Sequence, residues 1–416
     1  MNKHRFSSKY LLVFLLVFIT LSIVAACSQR GLISKKYSNE IYQVPKLISD
    51  TSFKKNPVFI VYGDIRPGFR ANEKFLKRKN WYTWKMLIFP FYEIYLLGNG
   101  ISGFIDFLRN ESNYGYKERI MVRDALYNEA KNSNVDFILS VGDFVNDGRY
   151  PSQWMKFIKE YKIEHPFLTE IPYFPTIGGH DMANDTTFGL KNYKSVFQYP
   201  RFYVIECPNV DIFVVDSHII LDDKQLIDDD TQDKLFEKWF VSNEKSEQSA
   251  WLERKLAASD KTFKIISIHN PPISFGRHNS DWTQKSYGRN LENKRKKLLK
   301  MFQKYDVQIV FCGHEHLYER NVLKYQKDGV NREIQIIISG GGGVPLRSKS
   351  DAKKIREYTN HYENIGLNVV QAKQAEMFHY CVVDIDVHRV KIDIIEVKDE
   401  AEEAVRLEET IFVNKN

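Results

Sequence analysis

Cysteine, proline and glycine are all scarce in this 416-residue chain, at 4, 13 and 21 residues. So few and such widely separated cysteines exclude a disulfide scaffold, and so little glycine and proline excludes a collagen-like chain. Charge of one sign is nearly balanced: 60 Lys+Arg stand against 53 Asp+Glu, a net of +7. Removing residues 1–26 takes away Lys3, Arg5 and Lys9 and lowers that net to +4. An excess this slight, spread along the chain, carries no signal for nucleic-acid binding. A polytopic membrane protein and a disordered chain are excluded as well, because 43% of residues are hydrophobic and 14% aromatic but not in repeated long runs. Internal repeats and low-complexity tracts are missing. The length allows two or three domains, or one large α/β domain.

The N-terminus reads as an address. Lys3, Arg5 and Lys9 precede an apolar run from Leu11 to Ala26, which ends Val24-Ala25-Ala26-Cys27. A basic start, a short apolar stretch and small residues before a break describe a secretory signal. The Cys after the small residues resembles the lipobox of bacterial lipoproteins, which implies lipid modification at Cys27 and a place in the cell envelope. The alternative is an uncleaved anchor, since the stretch from Tyr10 approaches the roughly 20 residues needed to span a bilayer. Three divisions follow: a signal peptide over 1–26, a polar tether over 27–56 and a folded domain over 57–416. Cys207, Cys312 and Cys381 remain in the mature chain and read as buried thiols.

From Val58 onward, short apolar runs alternate with amphipathic stretches, as in a layered α/β fold. What those runs end in is informative. Residues 58–62 lead into Gly63-Asp64, residues 137–141 into Gly142-Asp143, and residues 171–177 into Gly178-Gly179-His180-Asp181. Residues 263–268 end at His269, and residues 307–312 lead into Gly313-His314-Glu315-His316. In such sheets, ligands gather beyond the carboxyl ends of the strands. One Asp or His there is ordinarily a cap or a solvated side chain. Five runs delivering them together make a candidate metal cluster.

The order and spacing of these motifs resemble the calcineurin-like metallophosphoesterases, within them the purple-acid-phosphatase-like branch. Leu317-Tyr318-Glu319-Arg320, the stretch from Asn209 to Ser217, Gln248 with Trp251-Leu252, and Ser339 before Gly340 to Gly343 are similar to that branch too. The resemblance covers roughly residues 57–397. It implies a four-layer αββα sandwich of two mixed β-sheets and hydrolysis of a phosphate ester by two metal ions of Fe, Mn or Zn type. Cations about 3.5–4 Å apart would clamp the phosphoryl oxygens and acidify a bridging water. Asp64 and His316 would hold the first metal, His269 and His314 the second, and Asp143 would bridge both. His180, oriented by Asp181, would protonate the leaving alkoxide.

Two departures from the family pattern stand out. The first motif commonly reads D-x-H, but Arg66 occupies the second position and cannot bind a cation. A Tyr that completes the first metal in the purple branch is Asn146 here, so its amide oxygen or a water would serve, and no tyrosinate–iron colour is expected. Arg66 reads either as a phosphate-gripping group or as a partner for Asp147. The second departure is Gly179, where the pattern offers an Asn ligand. The second metal is therefore expected to bind weakly, to be completed by solvent or by Asn184 or Asp185, or to be lost. Loss would leave a different class of protein, a lipoprotein binding phosphorylated ligands or surface partners on a decayed phosphatase scaffold.

Elsewhere, residues 79–116 form an aromatic insertion that suits either an interfacial membrane segment or a lid. Lys294-Arg295-Lys296-Lys297 and the set Arg347, Lys349, Lys353 and Lys354 read as solvated faces. The stretch Ser274 to Asn293, with Arg277, His278 and Arg289, is a candidate substrate loop. Alternation over residues 380–385 and 390–395 predicts a hairpin turning near His388-Arg389 and closing the second sheet.

Overall fold

The computed structural model describes residues 31–33, 56–66, 115–183, 187–218, 247–283, 291–399 and 405–414. The signal segment, Cys27, most of the tether, nearly all of the 79–116 insertion, and Asn184 with Asp185 lie outside the described residues. All five apolar runs that end in ligand residues are strands. In chain order the strands are β1 Val58–Tyr62, β2 Phe137–Ser140, β3 Tyr173–Pro175, β4 Tyr203–Glu206, β5 Val210–Val215, β6 Phe263–Ile268 and β7 Ile309–Cys312. They continue with β8 Tyr318–Lys327, β9 Val330–Ser339, β10 Asn368–Ala375, β11 Phe378–Ile385, β12 Arg389–Val397 and β13 Val405–Asn414.

The strands form two mixed sheets, one ordered β13-β12-β11-β1-β2-β3 and the other β10-β8-β9-β7-β6-β5-β4. Within the first, β1, β2 and β3 run parallel; within the second, β5, β6, β7 and β9 do. Parallel pairing needs a crossover between strands and leaves both sheet faces to be covered. The side chains obey that requirement. On β5, Ile212 and Val214 enter the core shared with the first sheet, while Phe213 and Val215 pack with Leu252, Leu256, Leu298 and Phe302 of the outer helices. Strand β7 splits likewise, with Ile309 and Phe311 inward and Val310 and Cys312 outward. The helix Tyr116–Asn132 buries Val122 and Leu126 against the first sheet. Helices therefore flank two stacked sheets, the expected αββα sandwich.

Two expectations change. Strands β11 and β12 do form a hairpin, turned by Asp386, whose N–H bonds the Arg389 carbonyl at 3.0 Å. That hairpin closes the first sheet and not the second, because β11 pairs antiparallel with β1, and β13 adds a further strand outside β12. The basic cluster at 294–297 is also not wholly solvated. Lys294 and Arg295 are buried, and the Arg295 guanidinium donates to Asn279 Oδ1 at 2.8 Å and lies 5.1 Å from the Tyr362 ring centre. Cys207, Cys312 and Cys381 are free and buried, as read.

Candidate metal centre

The site lies on the seam between the sheets, beyond the carboxyl ends of β1, β2, β3, β6 and β7. Polar ties cross that seam. Thr176 Oγ1 and Ser267 Oγ lie 2.6 Å apart, and the His314 N–H donates to Asp64 Oδ2 at 2.9 Å. Asp64, Asp143 and His314 all hold left-handed backbone conformations, with φ of 57°, 60° and 71°. Such a conformation costs a non-glycine residue about 1–2 kcal/mol. Strain at three candidate ligands, each preceded by a glycine, is the pattern of side chains aimed by the backbone toward a common point. The close approach leaves no room at two of the neighbouring glycines. A Cβ on Gly178 would fall 2.3 Å from Asp143 N, and one on Gly313 would fall 2.5 Å from Asp64 Oδ2.

Each imidazole is turned by a bond at its other nitrogen. His269 Nδ1 lies 2.7 Å from the Val141 carbonyl, which leaves Nε2 3.3 Å from Asp143 Oδ1. His316 Nδ1 lies 3.1 Å from the Pro345 carbonyl, which leaves Nε2 3.7 Å from Asp64 Oδ1. For His314, Nε2 lies 2.7 Å from Asp281 Oδ2, so Nδ1 is the free nitrogen. An N–H given to a carbonyl or carboxylate fixes the tautomer and orientation of a ligating histidine. Asp64, Asp143 and His269 offer atoms within 4.8 Å of one another. His278, Asp281 and His314 also cluster, but Asp281 Oδ2 accepts from both rings, at 3.1 and 2.7 Å, and so acts as their support.

The residues present fit cations. Asp64 Oδ1, Asp143 Oδ2 and His269 Nε2 are buried and have no hydrogen-bond partner among the described residues. A buried acceptor left so costs about 1–3 kcal/mol. Burial, then the charge of Asp143, pushes the Asp64 carboxyl well above the usual carboxylate range. Burial acts upward on Asp143 too, but His269, His180 and Arg66 outweigh it and hold that carboxyl far below the usual range. Burial also lowers the imidazoles, His314 to about 3. Neutral rings beside carboxylates with unpaired oxygens are the donor set for a transition metal.

The fold brings Asp64, Asp143, His269, His314 and His316 together. Other expected roles change. Asp181 does not orient the His180 ring, because its carboxylate is engaged by backbone N–H groups of Asp143, Phe144, Val145 and Gly178 at 2.7–3.3 Å. The His180 ring is set instead by the Asn146 carbonyl, 2.7 Å from Nδ1. Burial, then Arg66, lowers His180 to about 4. Asn146 does not offer its amide oxygen to a metal here, since Oδ1 accepts from Arg66 Nη1 at 2.9 Å. Arg66 leans on Asp143, at 3.4 Å, and not on Asp147, which pairs with Arg149 at 2.6 Å.

Sequence reasoning missed His218, Asp281 and the supports around His278. Buried Glu315 accepts from the His278 N–H and from Ser274 Oγ, and buried Glu319 accepts from the Phe275 N–H at 2.6 Å. These bonds lash the loop after His269 to the Gly313–Arg320 stretch. His218 follows β5 at a strand end, the same kind of position that the other candidate residues hold. Arg347, expected on a solvated face, lies at the site, with Nη1 3.7 Å from buried Glu315 and 3.5 Å from the His314 carbonyl.

Two mixed sheets with carboxylates and imidazoles converging where their parallel strands end define the metallophosphoesterase fold. Residues 112–318 match the family model of the calcineurin-like phosphoesterases, and the chain carries a domain of that kind. The chain is similar to the probable inactive purple acid phosphatase 27 of Arabidopsis thaliana, 26% identical over 260 residues, covering 59% of this chain and 40% of that protein. It is 24% identical over 247 residues to the tartrate-resistant acid phosphatase type 5 of Sus scrofa, covering 56% of this chain and 65% of that protein. The structure of a purple acid phosphatase from yellow lupin (Lupinus luteus) seeds superposes with a TM-score of 0.51 at 15% identity, covering 90% of this chain and 55% of that one. The chain thus spans about half the length of the relatives it matches.

Proposed function

We propose that this chain is a metal-dependent phosphoesterase acting on a mono- or diester of phosphoric acid. The carrying observation is the buried acceptors of Asp64, Asp143 and His269 that lack a hydrogen-bond partner among the described residues, the two carboxylates standing on strained backbone. Two cations held by Asp64, Asp143, His269, His314 and His316 would supply Lewis acidity toward the phosphoryl oxygens and acidify a water. Arg66 presents a fixed guanidinium beside that rim and grips the phosphate oxygens. His180, with Nδ1 committed to the Asn146 carbonyl, holds its transferable proton at Nε2 and gives it to the leaving alkoxide. Because His180 is lowered to about 4, its acid form is depleted as pH rises through that value, which favours turnover at acid pH. We further propose that the chain is exported and tethered in the cell envelope through a lipid on Cys27. No helix among the described residues is long and apolar enough to cross a membrane.

A second reading, a binding module on a scaffold with a decayed second metal site, is favoured by Gly179 where the pattern offers an Asn ligand and by relatives that carry the words probable inactive in their names. Chelation separates the two. Stripped protein should lose hydrolysis of an aryl phosphate and recover it on adding Mn2+, Zn2+ or Fe2+. Asp143→Asn should abolish turnover while leaving the fold intact by circular dichroism. Turnover indifferent to chelation, or retained in Asp143→Asn, would overturn the enzyme reading.

A further inference from the structure

Gly179 stands where the resemblance asks for an asparagine ligand, and the space beside it is filled from the turn after β5. An ideal Cβ on Gly179 would lie 3.6 Å from Cε1 and 3.9 Å from Nε2 of His218, so that edge of the imidazole faces the missing side chain. His218 is only 7% exposed, and its Nε2 has no hydrogen-bond partner among the described residues. A buried imidazole nitrogen left in that state costs about 1–3 kcal/mol. It is the same signature carried by Asp64, Asp143 and His269.

The ring is held in place by its backbone. The His218 N–H donates to Asp216 Oδ1 at 2.8 Å, and Asp216 is itself fixed by Arg201 Nε at 2.6 Å and by its own N–H to Gln248 Oε1 at 2.9 Å. Ser217 Oγ donates to Asn270 Oδ1 at 2.6 Å, which pins the turn after β5 to the residue next to His269.

We propose that His218 Nε2 supplies the second cation with the protein ligand that Gly179 cannot, completing a set with Asp143, His269 and His314. The inference rests on the phosphoesterase reading above. An imidazole reaching across from β5 replaces an amide oxygen reaching up from position 179, and nitrogen donors suit Zn and Fe. A Cβ at 179 would rest in ordinary van der Waals contact with that ring. The consequence reverses the expectation of a weakened second site. That site gains a fourth protein donor, whereas the first keeps only Asp64, Asp143 and His316, because Arg66 engages the oxygen of Asn146.

Metal titration of the purified chain tests this without reference to turnover. Wild-type protein stripped of metal should take up about two Zn2+ per chain. His218→Ala should weaken one of the two steps by at least roughly 10–100-fold, the loss that disturbing even an outer partner of a metal site brings. Adding G179N to H218A should restore much of that step, and in Co2+-loaded protein X-ray absorption should count one imidazole fewer in His218→Ala. His218→Gln, which fills most of the ring's volume, should show the same weakening, and so separates lost ligation from lost packing. Wild-type Zn2+ affinities for both steps in His218→Ala and His218→Gln would overturn the assignment. Wild-type protein that binds no Zn2+, Mn2+ or Fe2+ would instead overturn the phosphoesterase reading itself, so the two failures are distinct.

Discussion

Replacing Arg66 by methionine isolates the anion grip. The Arg66 side chain is 12% exposed, with Nη1 donating to Asn146 Oδ1 at 2.9 Å, Nε 3.4 Å from Asp143 Oδ2 and Nη2 3.4 Å from His316 Nε2. Methionine keeps an apolar stem and removes the charged fork. A hydrogen bond to a charged group is worth about 1.5–3 kcal/mol, or roughly 10–150-fold in affinity, and a two-pronged contact lies toward the upper end. The inhibition constant of inorganic phosphate and the KM for an aryl phosphate should therefore rise by that factor. A second readout follows from electrostatics. Burial is the larger cause of the low value at His180 and remains, but Arg66 is the next, so its removal moves that value up from about 4. The acid form then persists to higher pH, and the descending limb of kcat/KM shifts upward. Arg66→Lys keeps the charge but not the fork and should fall between. A phosphate inhibition constant within threefold of wild type, with an unmoved pH profile, would refute the reasoning and make Arg66 a structural brace for Asn146.

His180→Asn should slow hydrolysis of alkyl phosphates by roughly 10²–10⁴-fold and of nitrophenyl phosphate far less, because a good leaving group needs no proton; equal losses across a leaving-group series would reject the acid role. Glu160→Ala strands buried Arg119, whose guanidinium donates to both carboxylate oxygens at 2.8 and 2.9 Å. Breaking such a pair costs about 3–5 kcal/mol, so denaturant unfolding should register most of that, and a loss under about 1 kcal/mol would contradict the buried geometry. If Cys27 carries a lipid as proposed, Cys27→Ser should move the protein from the detergent phase to the aqueous phase on detergent phase separation, and unchanged partitioning would exclude a lipid at that residue.

Much of the fold and the centre of the site were legible in the residue order. Parallel strands buried on both faces are largely apolar, so β1, β2, β6 and β7 appear as apolar runs, interrupted by Ser140, Lys264 and Ser267, whose ends announce Asp64, Asp143, His269, His314 and His316. Residues that act on one another from distant strands were not legible. Which sheet the β11–β12 hairpin joins depends on its pairing with β1, a contact some 320 positions away that local alternation cannot encode. The task of Asp181 turned on the backbone N–H groups that the loops brought to its carboxylate, and that of Asn146 on the Arg66 guanidinium 2.9 Å from its amide oxygen. His218 shows the division most plainly: its type and strand-end position stand in the sequence, but only packing sets its ring against the empty side of Gly179. Sequence dictates which segments must be buried and where chains must turn, through local burial and glycine. Tertiary structure decides which donors share a point in space, because that depends on register and layer stacking summed over the whole chain.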